Sequence, residues 1–132
     1  MADIGDFGVI QEALSMVLLN PDTSEELFNN DEKAMTIYIY GKDSKVAKTA
    51  SRELKANDRE GKKISDAEHE RRIIDYAARV TKSFENLSVN GESPSLDHKS
   101  VFALYKEYPW ILEQAIEFIG IRSNHLGNSQ EG

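Results

Sequence analysis

The stretch VFALYKEYPWILEQAIEFIGIRSNHL, Val101 to Leu126, carries the longest sustained apolar periodicity in this 132-residue chain. It holds the only Trp and two of the five Tyr. Val101, Leu104 and Tyr105 recur at helical spacing, with Phe102 beside them. Leu112, Ala115, Ile116 and Ile119 form a second stripe, widened by Ile111 and Phe118. Pro109 divides the two. The residue before a proline is pushed out of helical geometry, so a first helix, capped by Asp97, ends at Tyr108. Proline suits the first position of a helix, so a second runs from Pro109 to about Asn124. An apolar surface this wide needs cover on more than one side, and the rest of the chain has to supply it.

Ser65-Asp66-Ala67-Glu68 reads as a capping box that opens a helix running to about Thr81. Ile73, Ala77, Val80 and Phe84 line one face of that segment, with Ile74 beside them. Glu70, Arg71, Arg72, Asp75 and Arg79 cover the other. Further back, Asp43 or Ser44 caps a helix to about Ala56, with Val46, Ala47, Ala50 and Leu54 on a narrow stripe. Gly41 ends the strand before it. In that strand, Met35 to Tyr40, apolar residues alternate with Thr36, Tyr38 and Tyr40. Its simplest partner is Ser15 to Leu19, reached through the turn Asn20-Pro21-Asp22-Thr23. A lone hairpin is marginal in water, so this one must pack on something. The connectors are NDREGKK, 57–63, and ENLSVNGESPSL, 85–96, with Asn90-Gly91 a strong turn signal. The expected fold is α+β and mainly α-helical: an N-terminal β-hairpin over 15–40, then about four helices over 44–126. One small domain spans 1–132, with 1–8 and 127–132 expected to be disordered.

The bulk numbers narrow the function classes. Hydrophobic residues make up 39% and charged residues 30%, a polar but foldable mixture. There is no cysteine, which excludes disulfides, thiol catalysis and cysteine-based zinc sites. The net charge of −7 opposes nonspecific binding to nucleic acid and to anionic membranes. No run approaches the roughly 18 apolar residues of a transmembrane helix.

Several motifs fall short of the chemistry they suggest. Gly41-Lys42-Asp43-Ser44 resembles the end of a phosphate loop, but Thr36 stands where that loop needs its first Gly. His69-Glu70-Arg71-Arg72-Ile73 begins like a zinc-protease helix, but Ile73 replaces the second His. Asp22, Glu25, Glu26, Asp31 and Glu32 form an acidic loop without the Gly of a calcium loop. Arg71, Arg72, Arg79 and Lys82 make a basic strip interleaved with acids, which reads as a solvated, self-paired face. No set of residues converges as a nucleophile, base, metal or cofactor site, so an enzyme is not expected. The aromatic cluster points to protein binding instead, because aromatics and Arg dominate binding hot spots. The candidate interaction residues are Tyr105, Tyr108, Trp110, Ile111, Phe118 and Arg122. Each is also a type found in ordinary cores or surfaces.

Three blocks carry a resemblance. The first is Asn20-Pro21-Asp22-Thr23 followed by Met35 through Ser44: strand, Pro turn, strand, then Gly-Lys-Asp-Ser opening a helix. The second is Val80-Thr81-Lys82-Ser83-Phe84-Glu85-Asn86-Leu87 ahead of Gly91. The third, and the most specific, is Leu104 through Gln114 and on to Arg122-Ser123-Asn124. Together, and in this order, the chain resembles the tail assembly chaperones of bacteriophages with long non-contractile tails. It departs from them at Phe84, where the family usually has Trp, and at His125, where it usually has Phe. The resemblance implies a non-enzymatic protein in the host bacterial cytoplasm. Such a protein coats the tape-measure protein, keeps it soluble until tail-tube subunits assemble, and is absent from the mature virion. The implied partners are the tape-measure protein, the tail-tube protein and further copies of the chain, with no nucleic acid, membrane or small-molecule substrate. Other readings are a minor structural component of the tail or connector, or a small DNA-binding regulator.

Overall fold

The central strand is TIYI, Thr36–Ile39 (β2), which pairs antiparallel on both sides. One neighbour is β1, Leu14–Val17; the other is β3, Thr81–Glu85. The computed structural model describes residues 3–56 and 65–121. Its register sets Met16 opposite Ile37 and Ile37 opposite Phe84, so these three share one face with Ile39. That face is covered by four helices. Ser15, Tyr38 and Ser83 line up on the opposite, polar face, where the Tyr38 hydroxyl donates to Glu85 Oε2 at 2.6 Å. The expected hairpin is therefore present, but within a three-stranded sheet.

The third strand departs from the expected continuous helical region. The helix opened by Ser65 (α2, Asp66–Arg79) stops two residues before Thr81. Thr81 turns its hydroxyl back to the Ala77 carbonyl at 2.8 Å, and the Tyr40 N–H bonds the Val80 carbonyl at 2.9 Å. From there the backbone finds its partners across the sheet. Phe84 still packs on the core, but from a strand. The sequence fits both geometries locally, and pairing with β2 decides between them.

The helix starts follow short-range chemistry. α1, Lys45–Ala56, is capped by Ser44, whose buried Oγ accepts from the Ala47 N–H at 3.1 Å and donates to the Gly41 carbonyl at 2.7 Å. Ala47 and Ala50 are buried as expected, whereas Val46 points outward, 38% exposed. Ser65 Oγ accepts from the Glu68 N–H, but the Glu68 carboxylate turns to Arg71 and Arg72. α3, His98–Glu107, is capped by Asp97, whose carboxylate is held below its usual pKa by hydrogen bonds from Ser95 and Ser100. Tyr108 leaves helical geometry at φ −120° and ψ 78°, and α4, Pro109–Gly120, starts on the proline. At the N-terminus, Ile4–Phe7 forms a 3-10 turn where disorder is expected, and Asp3 accepts from the Gly5 N–H at 2.7 Å. Residues 127–132 lie outside the described residues.

Two long-range pins hold α4 against the hairpin. The Gln114 amide accepts from the Leu19 N–H at 2.9 Å and donates to the Leu19 carbonyl at 2.8 Å. The Lys42 N–H bonds the Ile119 carbonyl at 3.3 Å, satisfying one of the last carbonyls of the helix. Asp75 corrects another expectation. It is 7% exposed rather than on the outer face. It receives Arg79 Nε at 3.2 Å and lies 3.0 Å from His98 Nε2, while Arg79 reaches Glu53 at 2.6 Å. This network ties α1, α2 and α3 together and compensates the buried carboxylate.

Tyr105 is fully buried at the centre of the helical layer. Its hydroxyl lies 2.6 Å from Thr81 Oγ1. Thr81 spends its one proton on Ala77, so Tyr105 is the donor. Burial pushes the Tyr105 phenol up to about 12. An unfolded Tyr ionises near 10, so between these values the folded state holds more protons and stability falls as pH rises. Tyr105→Phe should cost about 1 kcal/mol at neutral pH and remove about 1.4 kcal/mol of the alkaline loss reached by about pH 11. Urea unfolding of both proteins near neutral pH and at about pH 11 reads this out. An unchanged alkaline slope in the variant would refute the burial account.

Candidate protein-interaction surface

Around the Pro109 joint, the end of α3 and the start of α4 meet two loops. Leu18, Leu27 and Met35 come from the long β1–β2 connection, and Leu87 to Asn90 from the segment after β3. Both loops are fixed by asparagines. Asn20 Oδ1 accepts from the Asp22 and Thr23 N–H groups, and Asn29 Oδ1 from those of Asp31 and Lys33. The backbones of Leu18, Leu27 and Met35 bond to one another, which turns their side chains to one place. Asn86, at φ 61°, donates to the Ala34 carbonyl, and Asn29 donates to the Asn86 carbonyl. These bonds tie the two loops together. Asn90 and Gly91, both at positive φ, close the tight turn between Val89 and Glu92.

The result is an apolar concavity of about 210 Å³ with Tyr108, Trp110 and Ile111 on its helical side. It is smaller than the roughly 300–1,000 Å³ of small-molecule sites, and its size suits an anchoring side chain. Tyr108 and Trp110 are half-buried, so each packs on the core and still presents surface. Phe28, in the same long loop that supplies Leu27, is 55% exposed.

The six candidate residues divide. Tyr108, Trp110 and Ile111 converge on this concavity, with Ile111 buried in its floor. Tyr105 is a core residue with no surface to offer. Phe118 lines a separate cleft of about 290 Å³ with Met16, Val17, Leu19 and Ile121, beside the edge strand β1. Arg122 lies outside the described residues. Leu27, Met35 and Val89 were not among the candidates. Only their flanking turn residues, Asn29 and Asn90, signal them in the sequence.

The α2 arginines pair with neighbouring acids, as their interleaving in the sequence leads one to expect. Arg71 and Arg72 pair with Glu68, and Arg79 pairs with Asp75 and Glu53, so the α2 strip is internally satisfied. The purer basic strip lies on α1. Lys45, Lys48, Arg52 and Lys55 follow at intervals of three and four residues, all exposed. That spacing was readable. Among the described residues, no three His, Asp or Glu side chains gather as a metal site requires. No described helix is long and apolar enough to cross a membrane.

Gln114 sets one wall of the Phe118 cleft through its paired bonds to Leu19. Gln114→Ala should cost about 1–3 kcal/mol and release the edge of β1. Hydrogen exchange at Leu19 should speed up while that at Ile37 and Ile39 does not. Unchanged Leu19 protection would mean that apolar packing alone holds α4. No family model, curated protein or solved structure matches this chain.

Proposed function

We propose that this chain is a tail assembly chaperone of bacteriophages with long non-contractile tails, acting by protein binding and not by catalysis. In this reading it covers apolar stripes of the tape-measure protein in the host cytoplasm and keeps it soluble. It helps recruit tail-tube subunits and stays out of the finished virion. The observation that carries the reading is the apolar concavity at the Pro109 joint, whose helical side, Tyr108, Trp110 and Ile111, falls in the most specific of the three resembling blocks.

The physics supports this use. A tape-measure protein presents long apolar helical surface, which aggregates unless covered. An amphipathic helix binds by placing an anchor residue in a preformed apolar pocket. Trp110 and Tyr108 supply wide, rigid contact area there at low conformational cost. The chain's net charge of −7 keeps a covered complex dispersed.

Light scattering of a tape-measure fragment, alone and with this chain, is the test. The chain should suppress the scattering in proportion to its concentration. Trp110→Ala should weaken binding by at least about thirtyfold, the loss of a hot-spot residue. Ser88→Glu places a charge in the same concavity without removing core volume, and should act in the same direction if Trp110→Ala fails to fold. If the wild-type chain leaves the fragment aggregating, or both variants protect it as well as wild type does, the reading fails.

A further inference from the structure

The basic strip on α1 borders a further concavity. Leu54, Ile73, Tyr76 and Ile116 form an apolar trough of about 440 Å³ between α1, α2 and α4. It continues into a basic trough of about 470 Å³ lined by Lys42, Lys48, Arg52 and Lys55. Ser51, Lys55 and Tyr76 belong to both, so the two form one groove.

Among the described residues, no ion pair offsets the like-charge repulsion along the strip. α1 has four basic residues against one acidic, Glu53, and Glu53 is committed to Arg79. Lys45 and Lys48, Lys48 and Arg52, and Arg52 and Lys55 are like-charge neighbours on one helix face. Each such pair destabilises a helix by roughly 0.2–0.5 kcal/mol. The first turn carries Lys45 and no acid, against the helix dipole. Among the described residues, the side chains of Lys42, Lys48, Arg52 and Lys55 make no ion pair. In a chain of net charge −7, single-sign crowding beside an apolar trough is best relieved by an anionic occupant.

We infer that this groove binds an amphipathic helical segment of a partner protein, with an apolar stripe for the trough and Asp or Glu along one flank. Charge complementarity and the adjoining apolar floor choose this occupant. The strip from Lys45 to Lys55 spans about 15 Å, roughly three helical turns, so partner acids spaced three or four residues apart can meet its successive cations. Nucleic acid would leave the apolar floor unused and would meet the repulsion of the whole acidic chain. The site is separate from the concavity at Trp110 and does not depend on the chaperone reading.

The test uses the full chain and a labelled synthetic helix of about 20 residues, with a Leu stripe and Glu on one flank. Anisotropy is read at low and at raised salt, against the same helix with Gln for Glu and against duplex DNA. The acidic helix should bind at least about tenfold more tightly than the Gln helix, and raised salt should narrow the gap. The charge reversal Arg52→Glu with Lys55→Glu should weaken it by about tenfold or more. The double variant Arg52→Gln with Lys55→Gln should act in the same direction while melting no lower than wild type, since it removes two like-charge pairs. Trp110→Ala should leave binding of this helix as it is. Equal binding of the two helices, indifference to both double variants, tighter binding of DNA, or loss of binding in a Trp110→Ala protein that is still folded would each overturn the proposal.

Discussion

Everything in this fold depends on covering Ile37 and Ile39. They sit on the central strand, and neither has any exposed surface. Strands of four or five residues cannot hold such a row dry by pairing alone. β1 and β3 close the two sides, and the helices close the face. This requirement explains why the chain leaves α2 at Val80 and returns to the sheet, instead of extending the helix. It also explains why Gln114 reaches across 95 residues to the Leu19 backbone. α4 must stay seated on the hairpin for the core to remain closed.

The proline joint turns the same demand into a surface. Ending α3 at Tyr108 and restarting at Pro109 lets Val101, Leu104 and Tyr105 face α2 while Ile111, Ala115 and Ile119 meet the rest of the core. The corner leaves Tyr108 and Trp110 between core and solvent. Two asparagine-fixed loops then raise apolar walls around them. A concavity built from such hydrogen-bonded loops is preformed, which lowers the cost of binding a partner.

Charge is divided between jobs. α2 pairs its arginines with Glu68, Asp75 and Glu53, and through Asp75 and His98 it joins its neighbours. α1 keeps its cations together and unpaired within the described residues. The acidic loop between β1 and β2 is folded by backbone bonds to Asn20 and Asn29, so its carboxylates stay exposed. An acidic chain with one basic groove and one apolar concavity offers two chemically distinct faces.

The sequence alone determined whatever local chemistry settles. Ser44, Ser65 and Asp97 cap their helices because a short side-chain oxygen needs only an N–H three residues on. Pro109 breaks the long helix because its ring excludes helical geometry just before it. The hairpin and the inward face of α3 follow from alternation and three-to-four spacing. Tertiary structure decided the rest, because those energies come from residues far apart in the chain. Thr81 to Glu85 could have extended a helix, and only pairing with β2 made it a strand. Asp75 looked like a surface acid, and only Arg79 and the incoming His98 made its burial tolerable. Tyr105 and Trp110 belonged to one aromatic cluster in the sequence. The fold placed the first in the core against Thr81 and the second at the rim of a groove, because loops from other parts of the chain chose which one to cover.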